Sequence, residues 1–280
     1  ADKPAPNEPG KAHGESGPAL AALLGATPVS DRRSWLAIEA SFELAGSLLI
    51  RGNTGQDDLG PDVVHLASRR DGTARPILSG TSLAGALRAR ARRIAATLAA
   101  RPDQADALVD EMFGPRRADT DDEDSPTSAR SAPRAGRLTV DERVIEGGRT
   151  DLVQSRVSID RFTGGAFPGA LFSEQPVFGR TDTTVTVGLR LAKPKDYETG
   201  LLLLLLKDLW TGDLPVGGEQ AVGRGRLRGR SALIQCYDTD AIREWTIVET
   251  DGILTVAPAE SELEEKVDTL VRYFEPGETS

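Results

Sequence analysis

Apolar residues recur along this chain with two periods, and the order in which those periods alternate restricts the folds open to it. Trp35–Ile50 alternates apolar and polar residues (Leu36, Ile38, Ala40, Phe42, Leu44), the period of a strand. Thr81–Ala100 has helical spacing, with Leu83, Leu87, Ile94 and Leu98 along one side and Ser82 or Thr81 as the cap. Ala105–Met112 predicts a second, shorter helix that ends near Gly114-Pro115. Arg137–Ile145 is the next strand. Asp182–Leu191 alternates Thr and Val, which suits a half-exposed strand. Thr199–Leu209 is a strongly apolar helix, and Arg226–Gln235 returns as a strand. Val63–Leu66 suits a short strand and Arg69–Arg75 a turn around Asp71-Gly72. The order strand, helix, strand, strand, helix, strand is that of an α+β, ferredoxin-like (RRM-like) βαββαβ domain with insertions, carried on residues 34–237. Many unrelated functions use this pattern, so function has to be read from particular residues.

The remaining segments differ in composition. Residues 1–33 read as a flexible leader or linker, polar and rich in Pro and Gly over Ala1–Gly17 and with an apolar patch at Leu20–Leu24. The chain starts with Ala rather than Met, which fits processing, trimming or excision from a longer polypeptide. Residues 116–134 hold almost no large apolar side chains and are expected to be disordered. Residues 147–180 mix Arg, Gly, Phe and Pro with neither a strand nor a helix period. Residues 238–280 read as an acidic extension whose helix, Glu260–Phe274, sets Leu263, Val267, Leu270 and Val271 on one face.

Several classes are disfavoured at once. One cysteine, Cys236, allows no internal disulfide, and two histidines with it make a zinc site within the chain improbable. This fits a reducing, cytoplasmic setting. The run Leu201–Leu206 is too short to span a bilayer, so no membrane partner is expected.

The net charge of −9 argues against nucleic acid until its distribution is considered. Asp238–Ser280 holds 12 acidic and 3 basic residues. Arg69–Arg93 holds 7 Arg against the single acid Asp71, and Gly223–Arg230 holds 4 Arg and no acid. Such basic stripes beside acidic flanks favour an anionic partner held in one place. They also fit solvated surface faces.

Both stripes adjoin glycine-rich segments. Gly80, Thr81 and Ser82 open a helix, where free N–H groups and the helix dipole attract phosphate, and Arg88 and Arg92 add charge further along. The same residues also read as an ordinary helix cap with a packing glycine at Gly85. Gly217, Gly218 and Gly223 would let an RNA backbone approach the main chain closely. Arg224, Arg226 and Arg228 are expected on one strand face by alternation. A plain flexible loop is the other reading. Phe162, Phe167, Phe172 and Phe178 stand among polar neighbours, where exposed aromatics could separate stacked bases. Phe178, and with it Phe172, is expected to dock on the body of the domain.

Three segments together resemble the RAMP superfamily of CRISPR proteins. Pro76–Arg88 is similar to its strand-to-helix motif, with Ala84 where Lys is common. Gly136–Asp141 followed by Arg156–Ala166 resembles a strand and the protruding thumb hairpin of type III backbone subunits. Gly217-Gly218 followed by Gly223-Arg224-Gly225-Arg226-Leu227 is similar to the C-terminal glycine-rich loop. The resemblance covers roughly residues 35–235. It implies a guide (crRNA)-binding backbone subunit of a type III effector. Implied partners are crRNA, complementary target RNA, other RAMP-type subunits, small subunits and the large polymerase-like subunit. Arg51, Arg161 and Thr163 join the residues above as implied RNA contacts.

In target-cleaving members an Asp in the loop after the first strand is needed to cut target RNA. Gly55-Gln56-Asp57 is close to that pattern, so the candidates are Asp57, then Asp58, then Asp62. Such an Asp could hold Mg2+ or another divalent cation, or position the attacking 2′-hydroxyl, leaving a 2′,3′-cyclic phosphate. An Asp-rich surface turn explains the same residues. His65 lies in a short apolar run and reads as a packed strand residue rather than an acid or base. A non-catalytic structural subunit and a standalone guide-processing ribonuclease remain as alternatives.

Overall fold

The computed structural model describes residues 33–52, 60–115, 135–238 and 241–275. The leader, the insert at 116–134 and the residues Asp57 and Asp58 therefore lie wholly or almost wholly outside the described residues.

In chain order, β1 (Trp35–Ala45) leads to the short β2 (Ser47–Leu48), β3 (Arg51–Gly52) and β4 (Val63–His65). The hairpin β5 (Ala67–Arg70) and β6 (Thr73–Leu78) follows. Its two-residue turn, Asp71-Gly72, has φ of 51° and 78°, the left-handed pair that matches strand twist. Next come α1 (Gly80–Leu98), α2 (Pro102–Phe113), β7 (Leu138–Val140) and β8 (Arg143–Glu146). After them are β9 (Gln154–Ile159), β10 (Ala166–Gln175), β11 (Val177–Phe178) and β12 (Thr184–Ala192). The chain continues through α3 (Asp196–Trp210), β13 (Arg226–Asp238), β14 (Ala241–Thr250), β15 (Ile253–Ala257) and α4 (Glu260–Phe274).

The main sheet runs β15-β14-β13-β1-β12-β8-β6-β5, with β7 also on β12. Within it β1 lies between β13 and β12, antiparallel to both. Leu36, Ile38, Ala40, Phe42 and Leu44 of β1 are buried, as the alternation requires. They share one core with Leu83 and Leu87 of α1, Leu108 and Met112 of α2, and the leucines of α3. This is an α+β architecture. Helix α3 is apolar on nearly every side because it is covered on nearly every side. Gly229 of β13 lies against the Trp210 ring, and Gly200 lies against the backbone of α4 at Lys266.

Several local features differ from the sequence expectations. The cap of α1 is Ser79, not Thr81 or Ser82; its hydroxyl bonds Thr81 Oγ1 at 2.8 Å rather than a backbone amide. Gly85 is exposed and is no packing glycine, since a Cβ at this position would meet no atom within 4 Å. The strand expected over Arg137–Ile145 is broken into β7 and β8, and the break lies over the start of α1, where Gly80 meets Val140 and Asp141. Residues 147–180 lack a clear period, yet hold the hairpin β9–β10, as the resemblance of Arg156–Ala166 to a thumb hairpin implies.

The acidic C-terminal segment is part of the same body. β14 and β15 extend the main sheet beside β13, and Trp245 and Ile247 are buried. On α4 the inward residues are Leu263, Leu270 and Phe274, while Val271 is exposed. The strands were hidden because Arg243, Glu244 and Glu249 interrupt the apolar pattern, and only two β14 residues are buried.

Candidate nucleic-acid interface

Two elements project from this framework as candidates for holding RNA. The first is the glycine-rich loop between α3 and β13. It is pinned to the β1–β3 region by main-chain bonds, Gly218 N–H to Leu49 O and Gly225 N–H to Ser47 O, both 2.7 Å. Gly217 and Gly225 have φ of 83° and 77°. A Cβ on Gly217 would lie 2.6 Å from Leu49 O, and one on Gly225 would overlap Val216 O. These two glycines therefore serve close packing inward. Gly223, at φ 87°, has open space around it and is the glycine of the loop that faces outward.

Beyond the loop, β13 presents Arg226, Arg228 and Arg230 on one exposed side, alternating with buried Leu227 and Gly229. Arg226 donates to Gly212 O and Arg230 pairs with Glu43. Arg228 has no ion-pair partner among the described residues and lines an open cleft with Arg180, Gly46 and Gly179. The expectation that Arg224 shares this face is corrected. Arg224 precedes the strand and is only 3% exposed. Alternation does not reach it, because the left-handed Gly225 turns the chain between them.

The second element is the hairpin β9–β10. Its tip is ordered by Asp160, whose carboxylate accepts from Phe162 N–H at 3.0 Å and from Thr163 Oγ1 at 2.9 Å. Those bonds hold the Asp160 carboxyl below the usual range. Phe162 is 99% exposed between Arg161 and Thr163. Phe167, Leu171 and Ile159 are exposed too, an apolar surface that no element covers among the described residues. Phe172 lies at the margin of exposure and Phe178 is half-buried in β11.

Loop and hairpin meet in a cluster of charges. Arg224 Nη2 donates to Gln154 Oε1 at 2.7 Å and to Glu174 Oε2 at 3.0 Å, and its Nε lies 3.3 Å from Glu219. Arg156 lies 3.3 Å from Glu174 and 3.2 Å from Glu219. Burial and the neighbouring Glu219 carboxyl push the Glu174 carboxyl up. Burial also acts upward on Glu219, but contact with Glu174 and the charges of Arg224, Arg156 and Arg51 bring it down. Arg51, on β3, thus contributes charge beside this cluster while its side chain stays exposed. Glu174 and Glu219 carried no sequence signal of this pairing, because a lone charged residue gives no hint of burial, and Arg156 was marked only by the resemblance of its segment to a thumb hairpin.

The start of α1 is less open than expected. Thr81 is exposed and Ser82 half-buried, but Gly80 packs on the β7–β8 turn. Arg88 Nη2 donates to Asp110 at 2.7 Å and to Gly114 O at 2.6 Å. Arg92 bridges Asp106 and Asp110, and Arg90 pairs with Asp208 at 2.6 Å. Arg88 and Arg92, expected to meet phosphate, hold α1 to α2, and Arg90 holds it to α3.

Of the candidate catalytic residues only Asp62 lies among the described ones. Its Oδ2 accepts from Ser173 N–H at 2.6 Å and Ser173 Oγ at 2.9 Å, fastening the loop to β10. Those bonds lower its carboxyl. Among the described residues no group of three carboxylate, His or Cys side chains converges to hold a metal ion. His65 is buried: its Nδ1 accepts from Ile50 N–H at 3.2 Å and its Nε2 donates to Ile77 O at 2.9 Å. Burial lowers its pKa. No helix among the described residues is long and apolar enough to cross a membrane.

Comparison with protein-family models matches residues 41–228, more than half of the chain, to the RAMP superfamily. No curated protein matches the chain.

Proposed function

Because the chain belongs to the RAMP superfamily, a group of CRISPR-associated RNA-binding proteins, we propose that it is a guide-binding backbone subunit of a type III effector. In this reading the core is ferredoxin-like: β1, β8, β12 and β13 take the sheet order fourth, first, third, second, with α1 and α3 as crossovers. The observation that carries the RNA role is the placement of an aromatic-tipped hairpin against the loop that leads into the β13 arginines. Such a pair suits a single RNA strand. The arginines neutralise phosphates, and Phe162 offers a flat apolar face to an unstacked base. Complementary target RNA, sister RAMP subunits, small subunits and the polymerase-like subunit are the partners of this reading, in the cytoplasm.

Fluorescence anisotropy with a labelled single-stranded RNA across a salt series tests it. Replacing Arg226, Arg228 and Arg230 together by Gln should flatten the slope of log K against log salt by about 2. An unchanged slope would remove these residues from the interface.

Cleavage of target RNA rests on Asp57 and Asp58, since Asp62 is engaged by Ser173. A divalent cation there would be held by Asp57 or Asp58 and would stabilise charge on the scissile phosphate. In the assembled complex, Asp57→Ala or Asp58→Ala should abolish cutting while guide retention persists. Cutting by both variants at every site would assign the chain a structural role alone.

A further inference from the structure

The charged cluster between hairpin and loop is costly unless it has a task. Arg224 and Glu174 are 3% and 1% exposed, a burial that charged groups tolerate only when closely paired. Glu219 sits at φ 58°, where a glycine would be less strained, yet the sequence places a carboxylate there. That carboxylate faces Arg156 of β9 and Arg224 of the loop. Both hairpin strands are thereby tied to the loop: β9 through Gln154 to Arg224 and Arg156 to Glu219, β10 through Glu174 to Arg224. Among the described residues β10 is also held by a two-residue pairing with β4 beside the Asp62–Ser173 bonds, and it runs on into β11, which pairs with β2.

We propose that Arg224 is a positioning residue: it does not touch RNA, and with Glu174 and Glu219 it forms a joint that sets the hairpin against the loop. The joint lets the Phe162 tip and the β13 arginines engage the same RNA strand. This rests on the RNA-binding reading above, but it has a structural readout of its own.

A phosphate contact and a joint behave differently. If Arg224 met phosphate, Arg224→Gln would flatten the salt slope by about 0.7, and Arg224→Lys would largely restore binding. The joint predicts an unchanged slope and no rescue by Lys, which lacks the fork that sets Nη2 on Gln154 and Glu174 while Nε meets Glu219. It also predicts non-additivity. Phe162→Ala should weaken RNA binding about tenfold in the wild-type chain and less than about twofold in the Arg224→Gln chain. Glu219→Gln should act like Arg224→Gln, whereas loss of a negative charge beside a phosphate contact would tighten binding.

Hydrogen exchange of the full chain separates the joint from the RNA reading. In Arg224→Gln and Glu219→Gln, amides of Gln154–Ile159 and Ala166–Gln175 should lose protection while those of β1 and β13 keep it. A wild-type chain that does not bind RNA would sink the RNA reading and leave this test standing. Retained hairpin protection, or a flattened slope with additive Phe162→Ala, would overturn the joint. If Arg224→Gln does not fold, Glu219→Gln decides alone.

Discussion

At the scale of single residues, two glycines of the segments that border the basic stripes have opposite roles. Gly85 lies inside α1, exposed, with open space where a side chain would be. Gly85→Ala should stabilise the chain by about 0.5–1 kcal/mol through helix propensity alone. Gly225 sits at φ 77° with Val216 O in the place of a Cβ. Gly225→Ala should destabilise it by about 2 kcal/mol or more, seen in denaturant melts of both variants. His65 supplies a pH test. Its ring is buried, and that burial, outweighing its contacts with the Ile77 and Leu48 carbonyls, holds its folded pKa below the unfolded value of 6.5. The stabilisation is complete above pH 6.5 and is lost as pH falls through the folded value. Melts between pH 7.5 and 5 should show that decline, and His65→Gln should remove it. Glycines and histidines are legible as residue types in a sequence. Whether each faces a carbonyl, a void or solvent is set by segments distant in the chain.

Among the elements, those with a clean period were legible. β1, β12, β13, α1, α3 and α4 lie within a few residues of where alternation or helical spacing puts them. The hairpin β9–β10 was legible only through the resemblance of Arg156–Ala166 to a thumb hairpin, since much of its apolar surface faces outward and a strand exposed on both faces has no alternation to read. Its tip also gives the cleanest functional test. Phe162 touches no core, so Phe162→Ala should leave thermal stability unchanged. The same change should cost RNA binding about 1–2 kcal/mol by anisotropy, the scale of one stacked base. On α1 the sequence marked the arginines and could not say where they point. Asp106 and Asp110 of α2 stand opposite Arg88 and Arg92, so helix packing claims charges that composition alone would assign to RNA.

For the whole molecule, the acidic segment beyond β13 is structural as well as charged. Trp245, Ile247, Leu263, Leu270 and Phe274 are buried against the sheet and α3. At about 1.5–3 kcal/mol each, their burial contributes roughly 10 kcal/mol, comparable to the entire stability of a domain. Truncation after Tyr237 should therefore yield a chain without cooperative unfolding, in circular dichroism and gel filtration. A folded truncated chain would mean that α4 and the β14–β15 hairpin are ornaments. The sequence by itself determined the α+β class, the order of the central strands and helices, the basic stretch at β13 and the glycine-rich loop. Those features depend on local periodicity and composition, which neighbouring residues encode. Only the tertiary structure decided that Arg224 is buried, that Arg88 and Arg92 bind α2, that Asp62 fastens a loop to β10, and that residues 241–257 complete the sheet. Arg224 meets Gln154 and Glu174, and Asp62 meets Ser173, across 50 or more residues of chain, and a charge has no fixed role until its partner is in place.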